Sequence, residues 1–199
     1  MNTRDRRGTA SVIGMAEFDF SVPRHSETTF VDVDLVEETL EGVEFDKCQF
    51  RSVRFNCSTQ TDVAFLNCTF SNCTFFDATF TRCKLVGSRF ERCAFDIMTV
   101  DGGDWSFVAL PRADLSSATF TNVRMRETDL TEANCQGATL RNVDLSGATL
   151  RKTDFTRCDL RGSDLSALDP GTAELRHAVI TADQAVVIAL ALGLDVREA

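Results

Sequence analysis

Large apolar residues recur at every fifth position across most of this chain, and that spacing decides what it can fold into. From Phe30 to Leu165 there are 28 such positions, and 23 of them hold Phe or Leu. The exceptions are Gln60, Val100, Trp105, Met125 and Cys135, of which only Gln60 is strongly polar. Two residues before each large position lies a second series, mostly Ala, Val, Cys, Ser or Thr, whose size limit only Glu38 and Met98 break. Neither the 3.6-residue period of a helix nor the two-residue period of a flat strand yields a repeat of five. A short fixed period is the mark of a solenoid, in which each coil packs only on its neighbours. Two positions of each five then point inward and three outward.

The repeat is clearest in Ala113-Asp114-Leu115, Val143-Asp144-Leu145, Cys158-Asp159-Leu160 and Ser163-Asp164-Leu165. These residues match A-(D/N)-L-x-x, and over about Phe30 to Ile180 the chain resembles the pentapeptide-repeat family. The resemblance implies an all-β fold, a right-handed quadrilateral parallel β-helix with four pentapeptides to a coil and the large residue on the axis. Seven coils at a strand spacing of about 4.7–4.9 Å make a rod roughly 34 Å long. The expected divisions are a loose leader over 1–17, the β-helix over 18–180 and a C-terminal helical segment over 181–199. Phe18 and Phe20 are expected to cover the open end of the rod. Pro23 and His25 interrupt the pattern, so regular coils are expected from near Phe30.

Charge narrows the partners. The formal net charge is -9 and the pI is near 4.7. Phosphate binding needs a basic face, so nucleic acid is not expected as a direct ligand, whereas a basic protein surface is. Eight acidic residues fall between Glu27 and Asp46, among them Asp32, Asp34, Glu41 and Glu44, with no Lys or Arg before Lys47. They form either a solvated face that blunts an exposed sheet edge or an anionic docking surface.

No cofactor or metal site is expected. Six of the eight cysteines (Cys48, Cys68, Cys73, Cys83, Cys93 and Cys158) lie in the small inward series, and Cys135 lies in the large one. Only Cys57 falls outside both, there is no C-x-x-C, and His25 and His177 are the only histidines. The cysteines read as small buried hydrophobes in a reducing, cytoplasmic setting. The Asn-x-Ser/Thr triplets at Asn56, Asn67 and Asn72 are by-products of the repeat. Arg4, Arg6 and Arg7 precede no sustained apolar run, so no signal peptide is read. The longest apolar run, Ala185 to Leu192, is far short of the ~20 residues of a membrane span.

Two stretches break the monotony. From Asp96 to Pro111, Met98 is too large for its slot, Gly103 nearly empties one and Trp105 overfills the axis; Gly102-Gly103 and Pro111 are breakers, so a local bend or bulge is expected. Acidic neighbours and the absence of a G-x-G-x-x-G or G-K-[ST] pattern argue against a phosphate loop there. Beyond Asp169-Pro170-Gly171 the repeat fades. Thr181-Ala-Asp-Gln184 then reads as a capping box that opens a helix ending at Gly193. That helix is apolar on nearly every side, and the end of the rod is too narrow to bury it. Val186, Val187, Leu190 and Leu192 are therefore expected in a two-fold homodimer interface.

No nucleophile-base pair, metal cluster or nucleotide loop rises out of the repeat, so the chain reads as a protein-binding module and not an enzyme. Within the pentapeptide-repeat family it resembles the MfpA-type and Qnr-type fluoroquinolone-resistance proteins, the former through Ala182-Asp183-Gln184-Ala185-Val186 and the apolar helix ending Gly193-Leu194. This resemblance implies a dimeric DNA mimic that binds DNA gyrase, a bacterial type II topoisomerase, modulates it and gives fluoroquinolone resistance. Asp114, Asp144, Asp154 and Asp164 are the first candidates for the mimicry, with Asp32, Asp34, Glu41 and Glu44 second. The alternative is a structural or interaction rod of the same family with a different protein partner.

Overall fold

The computed structural model describes residues 22–197 and the backbone of Val12–Ile13. The leader expected over 1–17 otherwise lies outside the described residues, as do Phe18 and Phe20. The chain winds into a parallel solenoid in which each residue pairs with the one twenty positions on, so that four pentapeptides close one coil. The Phe30, Leu35, Leu40 and Phe45 series define the first to fourth sides. Three-residue strands pair on three of them, in sheets of five, six and three strands on the first, third and fourth sides, and isolated bridges hold the second. A short strand at Val12–Ile13 joins the first sheet against Thr29–Phe30, at an offset of seventeen residues instead of twenty.

The inward reading is borne out. The large series is buried from Phe30 to Leu165, and the small series lines the core beside it. Rings twenty apart stack nearly parallel, with centroids at 4.9 Å for Phe30–Phe50, 4.8 Å for Phe50–Phe70 and 4.6 Å for Phe70–Phe90. Rings of adjacent sides meet edge to face, as in Phe45–Phe50 at 5.3 Å, which suits the ring quadrupole. The regular pattern starts one position earlier than expected: His25 stands in the large series, pairs with Phe45 in the ladder and stacks on its ring at 5.2 Å. Gln60 also fits the axis, because its amide donates to Ser58 Oγ at 2.6 Å, although its carbonyl oxygen finds no partner.

The small slot carries more than size. Ser88, Thr128, Thr153 and Ser163 each donate a hydroxyl hydrogen bond to the carbonyl 23 residues earlier, at 2.8–3.1 Å. Cys68, Cys73, Cys83 and Cys93 aim their thiols at the equivalent carbonyl at 3.3–3.5 Å. A cysteine here is thus an apolar filler and a weak donor at once. Burial pushes the thiol of Cys83 up to about 11 and that of Cys158 to about 12, and raises Cys135 as well. They remain un-ionised at neutral pH.

Corners are turned by the residue two past nearly every large position, with Ser117 and Ala167 outside the left-handed set. Among the described residues, twenty-two non-glycine residues there have φ between 51° and 61°, a left-handed conformation that Asn, Asp and Gly tolerate best. Asp32, Asp62, Asn67, Asn72, Asp77, Asn122 and Asn142 follow that rule, and among the described residues Ile97 is the one β-branched exception.

The irregularity expected between Asp96 and Pro111 takes the form of a missing rung. Pro111 has no N–H to give a strand, and the five-stranded sheet ends at Arg89–Glu91, leaving a single bridge from Arg89 to Ala109. On the second side the bridge from Ala94 to Asp114 is absent, although Thr74–Ala94 below and Asp114–Asn134 above are present. The N–H of Ile97 bonds to the Ser117 hydroxyl at 2.9 Å in place of a backbone carbonyl. The third and fourth sides run through unbroken. Gly103 permits this: a Cβ on it would lie 2.1 Å from the Cys83 carbonyl oxygen, and Trp105 two residues on is fully buried.

The helix spans Ala182–Ala191 and opens with the expected capping box, Gln184 N–H to Thr181 Oγ1 at 3.3 Å and Thr181 N–H to Gln184 Oε1 at 2.8 Å.

The inward and outward sets make a sharp stability test. Phe70→Asp or Leu145→Asp buries an unpaired charge and is expected to cost more than about 4 kcal/mol. Thr69→Asp or Arg141→Asp on the outer surface is expected to stay within about 0.5 kcal/mol. Urea unfolding followed by circular dichroism separates the two; equal losses at both kinds of site would refute the frame.

Candidate functional site

The outward carboxylates begin as local structure. Where Asp precedes the large residue, its Oδ1 accepts the backbone N–H two positions on: Asp114 from Ser116 at 3.1 Å, Asp144 from Ser146 at 3.1 Å, Asp154 from Thr156 at 2.8 Å and Asp164 from Ser166 at 2.8 Å. Asp34 does the same for Val36 at 3.2 Å. Each is an Asx turn that closes its own repeat. The second oxygen of each carboxylate is left to face outward.

The predicted residues do not form one surface. Asp34, Asp114 and Asp154 share the second side. Glu44, Asp144 and Asp164 share the fourth, which is its opposite in a four-sided coil. Asp32 turns a corner of the first side and Glu41 lies on the third. Several are also neutralised. Arg54 one coil on pairs with Asp34, Arg24 with Glu44 at 3.3 Å, and Arg126 with Asp144 at 3.1 Å. Asp114 accepts from the Asn134 amide at 3.0 Å, and among the described residues neither Asp154 nor Asp164 is in an ion pair.

The second side carries the strongest field. Asp34, Glu37, Asp77, Asp96, Asp114, Asp154 and Glu174 all lie on it or on its corner, against Arg54, Arg157 and Arg176. Asp77 and Asp96 were not among the sequence candidates, because neither stands in the A-D-L position or in the Glu27–Asp46 acidic cluster. The same side exposes Phe76 (46%) and Ile97 (52%) at outward positions; a bulky apolar residue in an outward slot was the sequence signal for them. On the fourth side an open groove of about 750 Å³ runs beside Val86, Phe107, Arg124 and Arg126. Its arginines are already engaged, Arg124 with Asp104 at 3.0 Å and Arg126 with Asp144.

The helix leaves an apolar end. Ile188 packs against the core, while Val186, Val187, Leu190 and Leu192 are exposed, with Leu190 and Leu192 each at 57%. Val179, Leu194 and Val196 are exposed as well. Gln184 is buried, and its Nε2 donates to the carbonyls of Leu160 and Ser163, both at 2.7 Å. The capping box pointed to Gln184, but this second task depends on the end of the solenoid and had no local signal.

Several carboxyls are held low. The Arg82 guanidinium does so for Asp62, that of Arg161 for Asp159, and that of Arg112 for Glu132. For Asp144 burial works the other way, but the Ser146 hydroxyl and amide and the Arg126 charge prevail, and its carboxyl also lies below the usual range.

Two family models match the chain: pentapeptide repeats, in eight copies, over residues 110–147 and 128–166, and the SV2A/B/C luminal domain over residues 9–95. No curated protein matches it. Among solved structures, a trypsin-treated form of QnrB1, a plasmid-mediated fluoroquinolone resistance protein, is 18% identical with a TM-score of 0.55, over 94% of this chain and 98% of that one. A second trypsin-treated form of the same protein is 21% identical with a TM-score of 0.44, over 94% and 97%. HetL, a pentapeptide repeat protein involved in heterocyst differentiation regulation from the cyanobacterium Nostoc, is 17% identical with a TM-score of 0.22, over 78% and 86%. At such identities the QnrB1 likeness establishes the shared fold. No helix among the described residues is long and apolar enough to cross a membrane.

Two measurements probe the carboxylates as structure. Asn can accept the turn hydrogen bond and Ala cannot, so Asp154→Asn is expected to stay within about 0.5 kcal/mol while Asp154→Ala costs about 1 kcal/mol. A carboxyl lowered in the folded state contributes stability above its unfolded value of about 3.9 for Asp, and loses it as pH falls through the folded value. The urea midpoint is therefore expected to hold from about pH 7 to 5 and to drop towards about pH 3. The drop should be shallower in an Asp62→Asn, Asp144→Asn, Asp159→Asn variant.

Proposed function

We propose that the chain is a pentapeptide-repeat protein of the Qnr type that acts as a DNA mimic, binds DNA gyrase, modulates it and gives fluoroquinolone resistance. The observation that carries the reading is the excess of outward carboxylates on the second side, seven against three arginines, along a rod with a net charge of -9. A DNA-binding surface is basic and responds to phosphate charge with little regard to sequence. A rigid anionic column competes for such a surface without supplying bases.

In this reading the chain is a binding protein and not an enzyme, and it takes no cofactor and no nucleic acid directly. Two copies join through Val186, Val187, Leu190 and Leu192. The exposed apolar end of the rod supports this, because a patch of that kind on a soluble chain marks an interface. The dimer would be roughly 70 Å long from the strand spacing, about two turns of B-DNA at ~34 Å per turn. A cytoplasmic location follows from the same partner.

Binding to purified gyrase is expected to weaken steeply with salt and to be competed by duplex DNA. Of the two opposed pairs, Asp114→Asn with Asp154→Asn is expected to lower affinity more than Asp144→Asn with Asp164→Asn, because Arg126 already neutralises Asp144. If the quadruple Asn variant inhibits supercoiling as well as the parent, the mimicry does not run through these columns. Sedimentation of a Val187→Glu, Leu190→Glu variant should show a monomer; an intact dimer would refute that interface.

A further inference from the structure

We propose that Phe76 and Ile97, at the missing rung of the ladder, form the apolar anchor of the anionic second side and seat a basic segment of the partner protein that carries an apolar side chain. The inference rests on the gyrase-binding reading and adds to it which side docks and what holds it there.

Three observations meet at this place. First, both side chains are about half exposed although they occupy outward slots, where the repeat otherwise puts mostly polar residues. They are close in the register: Ile97 stands one coil above Asp77, the residue after Phe76, and the Asp77 N–H bonds to the Asp96 carbonyl at 2.9 Å. Second, Ile97 holds a φ of 58°. A β-branched residue in that conformation is an outlier, since Cβ crowds the backbone. The other corners show that Asn or Asp would sit there with less strain, so Ile97 is not the choice that best stabilises the turn. Third, Asp77 stands one coil below Ile97 and Asp96 one coil above Phe76, and among the described residues neither is in an ion pair. Apolar surface flanked by unpaired carboxylates is complementary to a basic surface with an apolar knob. The absent bridge from Ala94 to Asp114 lies beside Asp96, where the ladder is locally open.

The anchor changes what salt does. Carboxylate contacts fade as ionic strength rises, whereas burial of Phe76 and Ile97 does not depend on screening. The side would therefore hold its partner by two terms that respond differently to salt.

The test measures gyrase binding and thermal unfolding for Ile97→Asn, Phe76→Ser and Phe107→Asn. Phe107 is the control: it is also exposed, with a φ of 60°, but on the corner opposite to Ile97. Both Asn substitutions relieve a left-handed corner and are expected to leave the unfolding midpoint unchanged or about 2 °C higher. The double variant Ile97→Asn, Phe76→Ser is expected to bind at least about tenfold more weakly, by the same factor at low and high salt, and Phe107→Asn to bind like the parent. Binding by the double variant within about twofold of the parent would overturn the anchor and leave the mimicry standing. So would an equal loss from Phe107→Asn. Absence of any DNA-competed gyrase binding by the parent would overturn both.

Discussion

Each coil rests on the one below through a backbone ladder that closes only when partners are twenty residues apart. That constraint orders everything else. It brings equivalent residues into columns, so a ring meets a ring, a thiol meets a fixed carbonyl, and a carboxylate meets whatever stands in the same outward slot one coil on. An insertion of one residue would move every later side chain off its column. The chain tolerates an oversized Met98, a buried Gln60 and a Trp105 with an unpartnered indole N–H. From Phe30 to Leu165 it tolerates no change of frame.

The fold was legible because the inward set is chosen by volume and polarity, which sequence states directly. The corners were less so. Their left-handed backbone needs no particular residue, and Lys47, Arg82 and Glu132 hold it as Asn67 does. The breakers around Pro111 announced an irregularity but not its form. A missing rung on one side, with the third and fourth sides intact, depends on which backbone donors face each other across coils. His25 was misjudged since a histidine in the axis is unusual, yet its ring stacks on Phe45 like any other member of the series.

The candidate surface was legible only as a list of charges. Which of them share a side follows from the twenty-residue period, and by that rule Asp114 and Asp154 face away from Asp144 and Asp164. Which remain uncompensated depends on long side chains reaching between coils, as Arg126 does to Asp144 and Arg54 to Asp34. The repeat also gives these aspartates a second task, since each closes its own turn. Selection for the fold alone would retain them, so their number says less about a partner than the exposed apolar residues beside them.

The buried amide of Gln184 has a consequence for growth. A further coil would offer the Leu160 carbonyl a small-slot donor and the Ser163 carbonyl a backbone N–H, as the earlier coils do for Leu140 and Val143. Gln184 supplies both donors from one side chain. An open parallel edge is a template on which another chain can add strands, and a stack of such edges is a fibre. By imitating the next coil where the helix takes over, Gln184 closes that corner of the last coil to strand addition.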